Sequence, residues 1–542
     1  MANATVVDSV EEKMAPSDSE KAGSTVDAGH ITNTSNAVHS LTTRLDPAGN
    51  PLSPTPTSDT LDPLNWPLWR KYVCIAIACL SYFLMTYLTT APIPSFFLLE
   101  AQFGATYSQT NWTFAISAFG LIFGPLLSGG LADIYGRRIC MVVTTSVALL
   151  ASGCTSLHGQ SLGAYMFERF LQGLGAGSAC NLGLSIINDV SFQHERGQRV
   201  GLWAIAANMG TFLGGVFGGF LVSVNQYWVA YQVTMAYAVL WLLTVFVLPE
   251  TLYPRRQMLR IEFGAAGGVG GVDDGVSNSV EAPAPRTRKL PFFNVRRIAG
   301  LTYPALYSPW VVVVRLWAYP TIVLSILAYV YAQYWWIIAL MTIEPLAYED
   351  RSPQVQGLLF LGFVVGVLFA EAFCSGHASD RLVLFLVRKG PAGERTPEMR
   401  LWLGYPAAVL SALGCGLWGL SVDRGWHWMV GQVLFFLYAV GLQIGNTVLT
   451  TYMVDNYPTY ANELSIFYSC IINLSAFLVP WFIYAWVEFS GYTWSFAIQG
   501  ILCVLVIPAY AVLQKYGAQW RKPANFGVYS EDEYDPTISV AV

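Results

Sequence analysis

Long apolar runs separated by short polar breaks dominate the chain between residues 72 and 513. A helix needs about 20 apolar residues to cross the hydrocarbon core of a bilayer, and twelve runs approach or exceed that length. They are 72–94, 110–131, 139–157, 162–187, 199–221, 228–248, 318–342, 354–377, 402–421, 427–453, 463–487 and 492–513. The pattern therefore predicts an all-α polytopic membrane protein with twelve transmembrane helices.

Polar stretches divide the chain further. The longest internal break, 249–316, holds many arginines and a Gly-rich piece, and it separates six runs from six. The first 60 residues are rich in Ser, Thr, Pro, Asp and Asn and contain no apolar run, so they cannot bury enough surface to fold. We predict a disordered cytosolic tail (1–60), a six-helix bundle (61–248), a cytosolic basic and Gly-rich linker (249–316), a second six-helix bundle (317–513) and a cytosolic C-terminal tail (514–542).

Composition supports the membrane prediction and narrows the function. Of the 542 residues, 54% are hydrophobic and only 12% are charged, which is too apolar for a soluble protein of this length. The nine cysteines lie in or beside apolar runs without metal-ligand spacing, and no phosphate-binding loop is present. We therefore expect no metal, no cofactor, no enzymatic activity, no ATP-driven pumping and no nucleic-acid partner.

Basic residues are unevenly distributed between alternate loops. With both termini in the cytosol, only Arg351 and Arg424 of the 29 Lys and Arg residues fall in outward loops, and Arg169 falls inside a span. Cytosolic loops carry the excess of positive charge in membrane proteins. The chain is therefore predicted to be a multi-pass protein of the cell membrane with cytosolic N- and C-termini.

A short charged turn joins the second and third runs. It reads Gly129-Gly130-Leu131-Ala132-Asp133-Ile134-Tyr135-Gly136-Arg137-Arg138. Its glycines let helices and a reversing backbone approach closely, and its arginines hold the turn on one side of the bilayer. The spacing resembles the loop between spans two and three of the major facilitator superfamily. A degenerate copy, Gly376-His377-Ala378-Ser379-Asp380-Arg381, follows 247 residues later, counted from Asp133 to Asp380.

The resemblance implies the major facilitator fold, two related six-helix bundles that rock about one central site. It also implies that the two loops form a conformational latch on the cytosolic side. The residues assigned to this latch are Gly129, Asp133, Gly136, Arg137, Arg138, Asp380 and Arg381. Pro249-Glu250-Thr251-Leu252, after the sixth run, resembles an exit signature of fungal and sugar-transporter-like members. Tyr452 to Pro458, with Asn473 and Phe477, resembles the fungal twelve-span drug:proton antiporter-like branch, which includes polyamine and cation carriers.

The fourth run contains a charge at bilayer depth, Arg169. A buried charge is costly, so Arg169 should face a cavity or a partner, and the pattern Arg169-x-x-Gln172-Gly173 resembles a superfamily motif linked to proton transfer. The alternative is that the side chain lies close enough to the interface to reach it. Arg169 and Gln172 are proton-coupling candidates, and Glu371 in the eighth run is the third because the first run has no acid.

Glycines are unusually frequent in the fifth run. Their spacing resembles the motif that marks the antiporters of the superfamily, although glycine replaces the expected proline at 215. The alternative is that they serve helix packing alone. These residues are Gly201, Gly210, Gly214, Gly215, Gly218 and Gly219.

In this superfamily spans one, four, seven and ten line the central cavity, so their polar and aromatic residues are candidates for binding substrate. The alternative for each is a hydrogen bond between helices. The candidates are Tyr82, Thr86, Tyr87, Asn181, Gln333, Tyr334, Trp335, Gln443, Asn446 and Thr447.

These features together predict a monomeric secondary transporter that exports a small organic molecule, such as a drug, toxin or secondary metabolite, by proton antiport with alternating access. The alternative is proton-coupled uptake of a small cation, such as a polyamine, or of another nutrient. The expected partners are the small-molecule substrate, protons and the lipid bilayer.

Overall fold

A computed structural model describes residues 52–253, 255, 259, 306–375, 377–389, 396–457 and 460–521. Every regular element within these ranges is a helix. The chain divides into Met1–Thr55, described only from residue 52, and Pro56–Val542, which contains all the described helices.

Six long helices form the first half of the bundle. Most are longer than the roughly 20 residues that a bilayer requires, and α3 spans about 27 Å at 1.5 Å per residue. Their bounds are α1 Leu68–Thr90, α2 Tyr107–Tyr135, α3 Arg137–Cys154, α4 Leu162–Val190, α5 Gln193–Val224 and α6 Tyr227–Phe246. The prediction of six spans before the long break is thus confirmed.

The second half begins with four further spans and ends with a very long helical stretch. The four are α7 Pro320–Ala347, α8 Pro353–Cys374, α9 Pro397–Asp423 and α10 Trp428–Asn456. The last stretch, Asn462–Trp520, has 59 residues, which would reach roughly 88 Å as one helix, about three bilayer cores. Gly491 interrupts it with non-helical dihedral angles (φ 72°, ψ 170°). Helices α11 (461–490) and α12 (492–520) follow from that break and complete twelve spans.

Two of these spans contain a turn of π-helix. In α7 the turn is Val330–Tyr334, and in α8 it is Ala370–Ser375. A π-turn shifts the register of the helix that follows it, and such turns are frequent at functional sites. Gln333 and Glu371, both candidates from the sequence, lie in these two turns.

The segments outside the spans are only partly described. Residues 1–51 of the predicted tail, most of the linker from 254 to 305, and 522–542 of the C-terminal tail lie outside the described residues. Ordered structure nevertheless begins before residue 61, because Thr57 is buried and donates its N–H to Asp62. Within the predicted linker, Ser308–Leu316 is a helix, and α12 continues to Trp520, beyond its predicted end at 513.

Within the first half, α2 lies along α4 and α1 lies along α5. The two halves meet where α2 packs on α11 and where α5 packs on α8. One end of α2 carries Asp133 and the other carries Tyr107. We call these the motif end and the Tyr107 end of the bundle.

Candidate functional site

The charged turn between α2 and α3 is fixed by ion pairs at the motif end. Asp133, near the end of α2, forms an ion pair with Arg137, the first residue of α3, and the Arg137 Nε lies 3.6 Å from the Asp189 carboxylate at the end of α4. Arg137 is buried, so two carboxylates offset the cost of removing its charge from water. The turn therefore holds α2, α3 and α4 together.

Glu250, four residues after the end of α6, belongs to the same network. Its two carboxylate oxygens accept hydrogen bonds from the backbone N–H groups of Arg137 (2.9 Å) and Arg138 (3.2 Å), the first residues of α3. An acid at a helix N-terminus satisfies orphan donors and opposes the helix dipole. Gly136 must be glycine here, because its φ is 109° and a Cβ would overlap the Glu250 carboxylate. Hydrogen bonds thus join the charged turn to the Pro249–Leu252 segment, which lies more than 100 residues later in the sequence.

A further carboxylate extends this network toward the start of the chain. The Arg255 guanidinium donates to the buried Asp62 carboxylate (Nη2 to Oδ1, 3.0 Å) and to the Asp189 carbonyl (3.3 Å). Burial acts to raise the pKa of Asp62, but Arg255 and the N–H groups of Thr57 and Leu64 outweigh it, so the pKa lies below its usual value. The segment before α1 is thereby tied to the segment after α6.

The second half repeats this arrangement with different residues. Arg400, near the start of α9, pairs with Asp455 near the end of α10 at 2.9 Å. Glu398 pairs with Arg521, which follows α12. The Arg400–Asp455 pair corresponds to the Arg137–Asp189 pair of the first half, because each joins the start of the third span of its half to the end of the fourth.

The structure bears only in part on the expected latch between the two loops. Asp133 pairs with Arg137 of its own half, and Arg381 is exposed on the helix His377–Lys389. The Asp380 side chain lies outside the described residues. Among the described residues, the charges around Asp133 therefore stabilise one half, and a latch between the halves stays a prediction.

Arg169 is enclosed rather than directed to the interface. Its Nη1 donates to the Leu88 carbonyl (2.9 Å) and to Gln172 Oε1 (2.7 Å), and its Nη2 donates to the Thr89 carbonyl (3.4 Å). The side chain is 3% exposed and borders a cavity of about 40 Å³. The alternative in which Arg169 reaches the interface is therefore wrong. The structure also brings Arg169 and Gln172 together, as the motif predicts.

The glycines of α5 serve two different helix contacts. A Cβ at Gly210, Gly214 or Gly218 would overlap α1, including the carbonyls of Phe83 and Ala91. A Cβ at Gly215 or Gly219 would overlap α8 of the other half, at Phe360 and at the Pro353–Gly357 turn. One stripe thus joins α5 to its own half and the other joins the two halves.

A chain of polar side chains crosses between the halves. Asn208 of α5 donates to Gln443 Oε1 (2.7 Å), and Gln443 Nε2 donates to Glu371 Oε2 (2.8 Å). Gln443 is buried, whereas Asn208 and Glu371 are partly exposed. Gly201 lies beside this chain, since an added Cβ would be 4.0 Å from Glu371 Oε1. The structure thus unites Gln443 and Glu371, and it adds Asn208, which the sequence analysis missed.

Aromatic rings surround the same level of the bundle. Tyr82 of α1 stacks on Trp203 of α5 at 4.2 Å between ring centroids. Tyr468 of α11 donates to Asn446 Oδ1 of α10 at 2.8 Å. The Tyr334 and Tyr468 hydroxyls lie close enough to Tyr82 to act on it electrostatically. Tyr82, Tyr334 and Asn446 therefore share one region, together with Trp203 and Tyr468, which the sequence analysis did not single out.

Other cavity candidates lie elsewhere. Tyr87 donates to Gln232 of α6 (3.0 Å), and Gln333 donates to Ser411 Oγ of α9 (2.7 Å) and to the Gly441 carbonyl (2.9 Å). Trp335 stacks on its neighbour Trp336. In the described conformation Tyr87 and Gln333 make the hydrogen bonds between helices that the alternative predicts, and their part in binding substrate stays a prediction.

Asn181 lines a small cavity of about 110 Å³ at the motif end, together with Asp133, Ser185 and Asn462. The halves also touch nearby, where Asn188 donates to Asn462 at 3.1 Å. Pockets for drug-sized ligands typically measure about 300–1,000 Å³. This cavity is therefore too small to hold a drug-sized molecule in the described conformation.

The sequence of residues 78–469 matches the family model for the Major Facilitator Superfamily. The chain belongs to this superfamily. Two fungal relatives carry functional names. The "Probable efflux pump mfs2" of Aspergillus flavus is 23% identical and covers 79% of this chain and 98% of its own, and the "Efflux pump radE" of Floropilus chiversii is 24% identical over 87% and 84%. The "MFS-type transporter penM" of Penicillium rubens is 24% identical over 87% and 89%.

Solved structures agree on the fold. The xylose transporter XylE from E. coli, in a partially occluded inward-open conformation, superposes with a TM-score of 0.58 at 15% identity, over 83% of this chain and 98% of XylE. At that identity the likeness concerns the fold alone. This protein is therefore a membrane transporter of the superfamily, and the twelve spans among its described residues form two six-helix bundles.

Proposed function

We propose that this transporter exports a small organic molecule from the fungal cytosol across the cell membrane in exchange for protons. In this proposal it acts as a monomer, with the motif end and both termini in the cytosol. The names of the relatives favour export, and the glycine pattern of α5 favours antiport. The observation that carries the proposal is the polar chain from Asn208 through Gln443 to Glu371, because it places an ionisable group in the contact between the halves.

Protonation of Glu371 would weaken this contact. A hydrogen bond to an ionised carboxylate is worth roughly 1.5–3 kcal/mol, whereas a bond between neutral groups is worth about 0.5–1.5 kcal/mol. When Glu371 takes up a proton, Gln443 loses the stronger partner and its orientation toward Asn208 is less firmly fixed. Proton binding then alters the balance between conformations, which is what coupling requires.

The surrounding side chains suit an apolar, planar substrate. Tyr82, Trp203 and Tyr468 present rings near the polar chain, and aromatic faces contribute large apolar area with limited loss of freedom. Asn446 and Gln443 supply amide groups for orientation. Such a mixture of rings and a few polar groups is typical of small-molecule sites.

Export and uptake are separated by comparing a deletion strain with its parent. Export predicts hypersensitivity of the deletion strain to at least one toxic compound, with slower efflux of that compound from preloaded cells. Glu371→Gln should fail to restore resistance, whereas Glu349→Gln, at an exposed position beyond α7, should restore it. Loss of growth on a nutrient or polyamine, without hypersensitivity, would contradict export and favour the uptake alternative.

A further inference from the structure

A second acid lies inside the protein, near the end of α7 opposite the motif. Glu344 is completely buried, and neither carboxylate oxygen has a hydrogen-bond partner among the described residues. Enclosing an ionised carboxylate without a partner is far more costly than enclosing the neutral acid. In the described conformation Glu344 is therefore compatible only with its protonated form.

The groups near Glu344 do not supply a compensating positive charge. Its carboxyl acts electrostatically on Tyr107 of α2 and on Tyr348, just beyond α7. The other titratable groups near this region are Tyr484 of α11, Tyr492 of α12 and three acids, which are Glu100 before α2, Glu349 beyond α7 and Asp423 at the end of α9. The tyrosines are neutral, and the three acids would repel a negative charge at Glu344.

Contacts between the two halves keep Glu344 enclosed. The Tyr107 hydroxyl donates to the Thr342 carbonyl of α7 at 2.8 Å, and the Tyr107 ring lies against Tyr484 at 5.6 Å. Trp112 of α2 also stacks on Trp481 of α11 at 4.6 Å. Since α2 belongs to one half and α7 and α11 to the other, separation of the halves at this end would admit water to the region around Glu344.

We propose that Glu344 is a proton-binding residue, and that the Tyr107 end closes only with a proton bound to its carboxyl. On closure one O–H bond forms with a proton taken from water on that side, and on opening the proton returns to water as the carboxylate is hydrated. Glu371 differs, since it accepts a hydrogen bond from Gln443 and is partly exposed. The inference rests on the proposed function only in assigning the Tyr107 end to the outside.

The test measures opening of the Tyr107 end against pH in the purified, full-length protein in lipid nanodiscs. Spin labels at Val224 of α5 and Phe489 of α11, both well exposed, report separation of the halves by pulsed electron resonance. The exposed native cysteine, Cys154, is first replaced by serine. For the wild-type side chain at 344, the open-to-closed ratio should rise with pH by up to about tenfold per pH unit, the limit for one proton.

Glu344→Gln removes the titrating group but keeps its shape, so this variant should stay closed and lose the pH response. Glu344→Met, an apolar chain of similar length, should behave likewise. Glu349→Gln, an exposed matched control, should keep the full response. A wild-type ratio that does not change with pH overturns the proposal, as does an unchanged response in Glu344→Gln.

This readout does not depend on transport. A normal pH response together with no proton-driven export would overturn the proposed function and leave the role of Glu344 intact. Export with the expected coupling, combined with no pH response at the Tyr107 end, would overturn the role of Glu344 alone.

Discussion

At the scale of single residues, buried charges are the informative groups. Carboxylates stabilise the buried charge of Arg137, and carbonyls and an amide stabilise that of Arg169. Glu344 has no hydrogen-bond partner among the described residues. In the sequence only Arg169 lies inside an apolar run, and the partners of these three residues cannot be read from it. Glu344 lies just beyond the run 318–342, where an acid is ordinarily solvated, so the sequence does not mark it as a buried group.

Arg169→Lys should damage transport although it keeps the charge. Arginine donates from a planar fork to two carbonyls and Gln172, and lysine cannot reproduce that geometry. Each charged hydrogen bond lost costs on the order of 1.5–3 kcal/mol. We expect a lower thermal midpoint in nanodiscs and at least a tenfold slower transport rate. If Arg169→Lys and the exposed control Arg351→Lys had the same thermal midpoint and transport rate, the geometry of the Arg169 hydrogen bonds would not matter for transport.

Gly136→Ala should be more destabilising than Gly159→Ala. Both glycines have positive φ, 109° and 77°, so alanine is strained at either position by roughly 1–3 kcal/mol, and Gly136, with ψ 152°, lies in a region that is essentially restricted to glycine. Only at Gly136 would the new Cβ overlap another group, the Glu250 carboxylate, whereas the space around Gly159 is open. Thermal unfolding of the two variants measures the difference directly. Equal shifts would show that Glu250 does not hold the turn.

Asp62→Asn should destabilise the protein in a pH-dependent manner. The pKa of Asp62 is lower in the folded protein than its usual value of 3.8. Its carboxylate therefore contributes stability above about pH 4, and that contribution is lost as the pH falls through the lower folded pKa. The stability difference between wild type and variant should be largest near neutral pH and diminish below pH 4. A constant difference across pH 3 to 7 would argue against the Arg255 pair.

At the scale of elements, α5 packs both on its own half and on the other half. Its stripe of Gly210, Gly214 and Gly218 packs on α1, while Gly215 and Gly219 pack on α8. The sequence predicts the close packing, because small residues at these intervals let helix backbones approach each other. It does not separate the two stripes, since which helix face meets which neighbour depends on the assembled bundle.

Gly219→Leu and Gly214→Leu should therefore have different effects. A leucine at 219 would force α8 away at the Tyr107 end and favour the open state, while leaving the first half intact. A leucine at 214 would separate α1 from α5 and lower the yield of folded protein. Alkylation of a cysteine at Thr342, a fully buried residue whose carbonyl accepts a hydrogen bond from Tyr107 across the halves, reports the opening. Protection that is unchanged in Gly219→Leu would contradict the assignment.

At the scale of the whole molecule, the twelve spans and the division into halves could be predicted because hydrophobic length and a repeated loop encode them locally. The central site could be predicted only in part. Gln443 and Glu371 were candidates individually, but their link to Asn208 depends on contacts between helices far apart in sequence. Uniformly apolar helices show no periodicity from which such faces could be read.

Alternating access is the property that connects these observations. Both ends of the described conformation have contacts between halves, and the cavities beside Arg169 and Asn181 are each too small for a drug-sized molecule. Transport then requires the contacts at one end to break while those at the other persist. Glu371 and Glu344 lie at two levels of the second half, and proton binding to them would change which end opens.

The most direct test of the central claim is accumulation of an exported compound by proteoliposomes under an imposed pH gradient. The compound is one identified by the hypersensitivity of the deletion strain. Proton antiport predicts accumulation when the vesicle interior is acidic, abolished by an uncoupler and by Glu371→Gln. Accumulation driven instead by an acidic exterior, or unaffected by the gradient, would contradict proton-coupled export.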